Sequence, residues 1–307
     1  MAEGVGGVEI RQLEIFVAAA ERGSITQAAD ALLVAQPSAS AQIRTLEAEL
    51  GHRLFDRLPR GVRVTQVGQA VLPHARQILR GVAEIGAAVD ELAGLRRGRL
   101  VLGAMPTITA YLIPTAIKAF REAFPGVELR VVEARTSTLL DDVAALRLDL
   151  AVATLTEEPD PQIEVEALAE EELFAIVAAG DPLADGGEIG LADLRERPFV
   201  MLEHGFGLKA IVVEACRQAG FAPRVAQEMQ SLQAIKGLVE IGVGVSLAPR
   251  LVVEQEERLG LLRALRLRPP RPYRRVQIVT RRGAYLSRAA QAFIGICREE
   301  ARRRQAP

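Results

Sequence analysis

Cysteine and histidine are scarce in this chain of 307 residues, which has two cysteines and three histidines. Because Cys216 and Cys297 lie far apart in the sequence, we expect no disulfide framework and predict a reducing compartment, the cytoplasm. The histidines are isolated, and the sequence contains no CxxC, HExxH, GxSxG or P-loop motif. We therefore predict no metal site, no catalytic residues and no cofactor, and we expect that the protein is not an enzyme.

Long apolar runs are also missing. The chain has no stretch of 18 apolar residues, so no membrane span is expected. Residues 1–7 do not combine a basic region with an apolar core, so no secretory signal is expected. With 49% apolar and 25% charged residues, the chain should be globular and form two or three compact units. The net charge of −1 excludes a wholly basic protein but allows a small basic module joined to an acidic one.

The most informative segment, residues 24–44, has the pattern of two short helices joined by a tight turn. Ser24 can cap the first helix, and Pro37 suits the first turn of the second. Apolar residues of the second helix recur at i, i+3 and i+7 from Ile43, which predicts a buried stripe. Short polar side chains lie at its start and on its outer faces, where they can bond base edges or phosphates. The alternative is an ordinary helical hairpin.

An arginine-rich segment follows at residues 51–80. It contains six arginines and one acid, Asp56, so its local excess is 6 − 1 = +5. Such an excess beside a polar helix fits contact with phosphates. Gly61 and the alternation at residues 62–65 predict a short hairpin, a wing, with arginines at its tip. The predicted DNA-binding side chains are Ser24, Thr26, Gln36, Pro37, Ser38, Ser40, Gln42, Arg44, Arg57, Arg60 and Arg63.

A long helix is predicted from about Gln66, with Thr65 as its cap. Apolar residues recur along it at spacings of 4, 3, 4, 3, 4 and 3. This period of 3.5 favours pairing with a second helix, and a dimer would place two recognition helices on two half-sites. A lone amphipathic helix lying on its own domain is the alternative. The predicted dimer seam consists of Val71, Ala75, Ile78, Val82, Ile85, Val89 and Leu92.

From residue 98 onward, short apolar strands alternate with helices. Repeated β–α–β units predict a parallel sheet with helices on both faces. Strands near 262–267 and 275–279 are expected to return to the first lobe, and a helix over 288–302 to end the chain. Two α/β lobes joined by two crossing segments would leave a cleft between them. Eight arginines between Arg263 and Arg282, with no acid among them, indicate either a second basic patch or a strand edge protected by charge.

The cleft should be lined where loops meet helix N-termini. Hydroxyl and backbone N–H groups at helix starts suit a small anion such as a carboxylate. Glu203 would disfavour an anion if it pointed inward, so the charge of the ligand stays open. For each threonine taken alone, plain helix capping is the alternative. The predicted effector-lining residues are Thr107, Thr109, Thr136, Ser137, Thr138, Glu203, Phe206 and Ser231.

Residues 13–75 resemble the winged helix-turn-helix of LysR-type transcriptional regulators. The matching runs include Gly23-Ser24-Ile25-Thr26, Gln36-Pro37-Ser38, Gln42-Ile43-Arg44 and Leu54-Phe55. The later residues resemble the two-lobed, periplasmic-binding-protein-like α/β effector domain of that family. The resemblance implies a DNA-binding domain over 8–66, a linker helix over 67–95 and an effector domain over 98–307. Lobe I would cover about 98–168 and 270–307, and lobe II about 169–269. One departure is Ala41, where the family usually has an arginine or another long polar residue, so one common DNA contact is absent.

The effector region is most similar to the OxyR-type peroxide sensors of this family. The runs that carry the similarity include Pro106-Thr107, Glu133-Ala134-Arg135-Thr136 and Met201-Leu202-Glu203. Those sensors need a reactive cysteine soon after the last run and a second one nine residues later. Here Gly207 takes the first position, and only the second cysteine, Cys216, is present. Without a thiolate no sulfenic acid forms, so we predict no peroxide sensing by this chemistry and interpret Cys216 as a small apolar helix residue.

Together these patterns predict a DNA-binding transcriptional regulator. The resemblance implies a homodimer through the linker helix and a homotetramer through the effector domains. A small ligand would change the angle between the lobes, re-space the DNA-binding units and alter DNA bending and contact with RNA polymerase. The expected partners are double-stranded DNA, a small-molecule effector, further copies of the chain and RNA polymerase, with no membrane. The alternative is a cytosolic solute-binding receptor that uses its N-terminal part only to dimerise.

Overall fold

The computed structural model describes residues 7–59, 61–92 and 98–305. They form two compact units, and the second begins at Gly98. The predicted fold class is confirmed: a helix-rich unit with a winged helix-turn-helix is followed by a two-lobed α/β unit. No helix in the described ranges is both long enough and apolar enough to span a lipid bilayer.

The N-terminal unit contains four helices and a two-stranded hairpin. Its elements are α1 (Ile10–Arg22), α2 (Ile25–Ala31), α3 (Gln36–Leu50), β1 (Phe55–Arg57), β2 (Val62–Val64) and α4 (Gln66–Leu92). Phe16 is fully buried and meets Phe55 edge-on, with 5.4 Å between the ring centroids. Ala28 and Ala29 are also fully buried, and their small side chains allow the neighbouring helices to approach α2 closely.

Caps set the ends of these helices. The Ser24 hydroxyl accepts from the Gln27 N–H at 3.3 Å, as predicted for the start of α2. α1 ends at Gly23 with φ of 64° and α3 at Gly51 with φ of 70°, the left-handed conformation that glycine adopts without strain. Thr65 caps α4, because its hydroxyl accepts from the Gly68 N–H at 3.0 Å. These caps place α3 and α4 where the sequence predicted them.

The C-terminal unit has two lobes that share β6 (Ile163–Ala178). Lobe I contains β3 (Gly98–Ala104), α5 (Pro106–Thr109), α6 (Leu112–Ala123), β4 (Val127–Glu133), α7 (Thr136–Ala144), β5 (Leu150–Ala153), β11 (Tyr273–Arg281) and α11 (Arg288–Gln305). Lobe II contains β7 (Pro198–Leu202), α8 (Gly207–Gln218), β8 (Arg224–Met229), α9 (Leu232–Glu240), β9 (Ser246–Pro249), α10 (Glu254–Arg258) and β10 (Leu262–Leu265). Two 3₁₀ turns, Leu191–Leu194 and Arg250–Val252, also belong to lobe II.

The predicted parallel sheet is present in the pairing of β3 with β4 and β5, but the complete sheet of lobe I is mixed. β3 runs parallel to β4 and β5, whereas β11 is antiparallel to β5 and β6. β11 enters lobe I from lobe II and therefore runs against its neighbours. The predicted return of the strand near 262–267 was wrong, because β10 pairs with residues 175–178 of β6 inside lobe II.

β6 joins the two lobes as one continuous strand. Residues 163–172 pair with β11 of lobe I, whereas residues 173–178 pair with β9 and β10 of lobe II. The chain therefore crosses between the lobes near Leu173. The apolar pattern of the sequence reveals only the second half of this strand, because the first half carries five glutamates in ten residues.

Candidate DNA-binding surface and effector cleft

The helix α3 buries one face and exposes a polar one. Ala39, Ile43 and Leu46 are at most 3% exposed and form the inner face. Ser38 and Arg44 are exposed on the outer side, and Arg44 makes no hydrogen bond or ion pair within the described residues. The arrangement follows from the apolar spacing of i, i+4 and i+7. It leaves a polar and cationic surface for an outside partner.

The other predicted DNA-binding residues of the two helices differ in exposure and in whether their side chains already make hydrogen bonds. Thr26 and Pro37 are exposed, whereas Gln42 is half-buried. The exposed Gln36 donates through its Nε2 to the Ser40 hydroxyl at 2.9 Å, so these two groups orient each other on the surface. Ser24, which is half-buried, uses its hydroxyl as the α2 cap, and its side chain is thereby committed to the fold.

Glu47 attaches the recognition helix to the wing. Its Oε1 accepts from the backbone N–H groups of Leu54 at 2.8 Å and Phe55 at 3.2 Å. The wing is also bonded to the end of α1, where the Val62 N–H donates to the Gly23 carbonyl at 2.8 Å. Both connections use backbone groups, so the hairpin has a defined position beside α3.

The wing carries exposed arginines, as predicted. β1 and β2 pair antiparallel, with Asp56 opposite Arg63. Arg63 Nη2 lies 3.2 Å from Asp56 Oδ2, and this exposed pair is expected to stabilise the hairpin only weakly. Arg57 is exposed and has no polar partner within the described part of the chain. Arg60 lies outside the described residues.

The predicted dimer seam begins later along α4 than expected. Ala75 is only 1% exposed and belongs to the core of the N-terminal unit, and Val71 packs against that core. The prediction for Ala75 was therefore wrong, because its own domain already covers it. Ile78, Val82 and Ile85 are 49%, 39% and 68% exposed, which leaves an apolar stripe open. Val89 and Leu92 lie in the helix, but their side chains are outside the described part.

One ion pair joins the two lobes across the cleft. Arg135, which precedes α7 in lobe I, donates to Glu203 of lobe II, with 2.6 Å between Nη2 and Oε2. Gln230 donates to the same Oε2 at 3.0 Å, and the Arg135 guanidinium lies 5.4 Å from the centre of the Phe206 ring. The sequence analysis named Glu203 and Phe206 but missed Arg135, because an isolated arginine in a strand–helix loop belongs to no motif.

Thr136 lies at the base of the cleft beside a buried thioether. Its hydroxyl is 3.4 Å from Met105 Sδ and 3.3 Å from the Thr154 carbonyl. The Thr154 N–H also approaches Met105 Sδ, at 3.1 Å. Among the described residues, the buried Thr154 hydroxyl has no hydrogen-bond partner. A buried hydroxyl without a partner is a group that a bound ligand can satisfy. The sequence signal for Thr154 is its place directly after β5, at the carboxyl end of a parallel strand.

The five other predicted cleft residues have different environments. Thr107 is fully buried, and its hydroxyl accepts from Arg274 at 2.7 Å, so the prediction that it faces an open cleft was wrong. Ser231 caps α9 through the Ala234 N–H at 3.4 Å, and Thr109 donates to the Pro106 carbonyl at 3.0 Å. Ser137 and Thr138 are exposed at the start of α7.

Gly207, the first residue of α8, stands where the peroxide sensors need their first cysteine, and its surroundings leave little space for a side chain. A Cβ atom added to Gly207 would lie 2.5 Å from the Thr154 carbonyl oxygen. Cys216 is fully buried on α8, and burial raises the pKa of its thiol to about 11. Burial also raises the pKa of the Cys297 thiol to about 12. Both thiols are therefore protonated at neutral pH and poorly nucleophilic, and the interpretation of Cys216 as a small buried helix residue is confirmed.

The arginines of residues 263–282 do not form a second basic patch. Most of them pair with carboxylates that lie elsewhere in the sequence. The pairs are Arg266 with Glu172 at 3.2 Å, Arg268 with Asp193 at 2.6 Å, Arg271 with Glu188 at 2.8 Å, Arg274 with Glu171 at 2.8 Å and Arg275 with Glu170 at 2.9 Å. The acids come from distant segments, so the local sequence does not reveal this neutralisation.

The exposed recognition helix, its wing and the two-lobed domain define a DNA-binding transcriptional regulator with an effector-binding domain. Family models agree with this class. The model described as "Bacterial regulatory helix-turn-helix protein, lysR family" matches residues 10–69, and the one described as "LysR substrate binding domain" matches residues 93–302. The chain belongs to the LysR family of transcriptional regulators.

Individual relatives match over most of the chain. The transcriptional dual regulator GltC of Bacillus subtilis is 34% identical over 242 residues, 79% of this chain and 81% of its own. The DNA-binding transcriptional dual regulator OxyR of Escherichia coli is 34% identical over 279 residues, 91% of each chain. Among solved structures, a full-length cysteine-to-aspartate variant of OxyR from Pseudomonas aeruginosa has a TM-score of 0.78 at 26% identity, covering 96% of this chain and 95% of its own. Full-length CbnR in complex with its target DNA has a TM-score of 0.67 at 25% identity, covering 96% and 100%.

Proposed function

We propose that residues 8–66 bind double-stranded DNA, with α3 in the major groove and the wing arginines on phosphates. The observation that carries this proposal is the outer face of α3, on which Gln36, Ser38 and Arg44 are exposed opposite a fully apolar inner face. Amide and hydroxyl groups near the start of a helix are suited to base edges. Arg44 and Arg57 lack partners within the described residues, so their charges are available for phosphate oxygens. The solved complex of the similar regulator CbnR with its target DNA supports a DNA-binding role.

The linker helix, residues 67–95, pairs with that of a second copy and makes the protein a homodimer. Its exposed apolar side chains at Ile78, Val82 and Ile85 support this arrangement, because exposed apolar stripes on a helix are normally covered by a partner. Two copies would present two recognition helices to two half-sites. A homotetramer, formed through further contacts between effector domains, is the larger assembly that this proposal includes.

The effector of residues 98–307 is a small anion, such as a carboxylate, that binds in the cleft. Arg135 supplies a guanidinium whose present partner, Glu203, is a carboxylate from the other lobe. The Thr136 hydroxyl lies 3.3 Å from the Thr154 carbonyl, and the fully buried Thr154 hydroxyl has no partner among the described residues. A ligand carboxylate that replaces Glu203 at Arg135 would change the relation between the lobes and hence DNA affinity. The regulator acts in the cytoplasm, where it contacts RNA polymerase on DNA, and it catalyses no reaction of its own.

The DNA-binding proposal is tested by measuring affinity against salt concentration. The full chain is titrated onto a labelled fragment from upstream of its own gene, and binding is followed by fluorescence anisotropy. We expect a steep salt dependence, and we expect Arg44→Gln and Arg57→Gln each to weaken binding. Loss of one phosphate contact should reduce the slope of log K against log salt by about 1.

Arg217→Gln serves as the control, because Arg217 is an exposed arginine of the effector unit that pairs with Glu214 at 2.7 Å. It should leave the slope unchanged. A shallow slope for the wild-type chain, or identical binding by Arg57→Gln, would instead favour a solute-binding receptor whose N-terminal unit serves only to dimerise.

A further inference from the structure

A cavity of about 370 Å³, separate from the effector cleft, lies where β6 passes from one lobe to the other. Lobe I contributes Leu112 of α6 and Arg304 of α11, and lobe II contributes Phe174 and Leu251. None of the residues predicted to line the effector cleft borders this cavity. It is therefore a separate space that touches both lobes at their crossing point, and most of its wall is apolar.

Two of its lining residues, Tyr111 and Glu171, form its floor and belong to a network built on the fully buried Arg274. Arg274 donates from Nε to Glu171 Oε2 at 2.8 Å, from Nη1 to the Thr107 hydroxyl at 2.7 Å and from Nη2 to the Tyr111 hydroxyl at 3.2 Å. The Tyr111 hydroxyl donates in turn to Glu171, and burial raises the pKa of Tyr111, so it stays a phenol. The charges of the floor cancel, because Arg274 and Glu171 form one ion pair.

The neighbouring Glu170 and Glu172 also line the cavity, but an arginine balances each carboxylate. Glu170 pairs with Arg275 at 2.9 Å and Glu172 with Arg266 at 3.2 Å. Arg250, on the rim of the cavity, is paired with Glu257 at 2.8 Å. Each of these acidic and basic side chains near the cavity therefore has a partner of opposite charge. One arginine is the exception.

The exception is Arg304, which has no carboxylate partner within the described residues. Its Nη2 donates to the Tyr111 carbonyl at 2.9 Å, and its Cζ lies 5.6 Å from the centre of the Tyr111 ring. Its buried Nε has no hydrogen-bond partner among the residues that the structure describes. A buried guanidinium donor that lacks an acceptor is costly, and it borders a space in which an acceptor can be placed.

We propose that this cavity is a second ligand site, which takes a small monocarboxylate with an apolar body. The carboxylate accepts from Arg304 Nε and balances its charge, because charged hydrogen bonds of this kind favour planar carboxylates. The apolar body packs on Leu112, Phe174 and Leu251. Because the ligand contacts both lobes at the point where β6 crosses, it favours one lobe arrangement and adjusts DNA affinity independently of the cleft.

The test uses the full chain, with 3-phenylpropanoate as the probe and 3-phenylpropanamide as its uncharged control. Binding is measured by isothermal titration calorimetry. We expect saturable binding of the carboxylate and at least about tenfold weaker binding of the amide. Arg304→Gln should weaken carboxylate binding by about tenfold, whereas Arg302→Gln, an exposed arginine of the same helix, should change it less than about twofold.

A second variant, Ala301→Leu, keeps a helix-forming residue but fills the cavity, since Ala301 borders it and is 5% exposed. It should block 3-phenylpropanoate, and circular dichroism checks that each variant is folded. The proposal is overturned if neither ligand binds, if amide and carboxylate bind equally, or if folded Arg304→Gln or folded Ala301→Leu binds as the wild type does.

Discussion

At the scale of single residues, Gly207 shows how one side chain separates this protein from related peroxide sensors. The position leaves no room for a Cβ atom, because the Thr154 carbonyl oxygen would lie 2.5 Å from it. Burial raises the pKa of the Cys216 thiol to about 11, so little thiolate is present at neutral pH. The cleft therefore has neither a reactive thiol nor space for one as it stands.

The different surroundings of Gly207 and Gly237 predict opposite effects when each is changed to alanine. Gly207→Ala should destabilise the protein by about 1–3 kcal/mol, because a methyl group is forced against a backbone oxygen. Gly237→Ala, inside α9, should stabilise it by up to about 1 kcal/mol, since nothing lies within 4 Å of the added Cβ and alanine favours helix. The free energy of unfolding is measured in urea by circular dichroism. Equal stability of Gly207→Ala and wild type would show that Thr154 is free to move away.

Residues that act through distant partners were the least predictable from the sequence. Caps such as Ser24 and Thr65 were predictable, because their partners lie three residues along the chain. Arg135 and Arg274 were not, because Glu203 and Glu171 are 68 and 103 residues away. The same reason explains the misplaced Thr107, whose hydroxyl is taken by an arginine 167 residues later.

At the scale of elements, the spacing of apolar residues predicted correctly the helices that bury a single apolar face. α3 and α4 lie where their spacing predicted them, because a stripe of period 3.5 or 3.6 is detectable without tertiary information. The sequence did not predict the first half of β6. Its glutamates form ion pairs with arginines of β11 and α11, so a strand rich in acids is stable there. A strand stabilised by cross-strand ion pairs does not show the usual apolar alternation.

The apolar stripe of α4 predicts a variant that breaks the dimer. Ile85→Glu should weaken self-association by at least about tenfold, because each of two copies would place a carboxylate in an apolar seam. Ala83→Glu, two residues earlier on the same helix and also exposed, lies off the seam and should leave association unchanged. Sedimentation velocity over a range of concentrations measures both variants. If Ile85→Glu associates as the wild type does, the stripe is not the dimer contact.

At the scale of the whole effector unit, two crossing segments and ion pairs such as Arg135–Glu203 hold the lobes together. The side chains of Arg135 and Glu203 are 39% and 33% exposed. Solvent screens such a pair, so it stabilises this arrangement of the lobes by about 1 kcal/mol or less. An interaction of this size suits a regulator, because a ligand needs little binding energy to replace it.

Glu203→Gln should therefore increase the affinity for small carboxylates by about two- to fivefold, because Arg135 would lose its competing anion. The control is Glu228→Gln, which breaks an ion pair of similar exposure inside lobe II, where Lys209 Nζ lies 2.6 Å from Glu228 Oε1. Affinities for acetate, malonate and succinate are measured by calorimetry on the full chain. A gain confined to Glu203→Gln would identify Arg135 as the anion anchor of the cleft. Equal affinities in both variants would mean that the effector is recognised by other groups, and that the ion pair serves only to hold the lobes together.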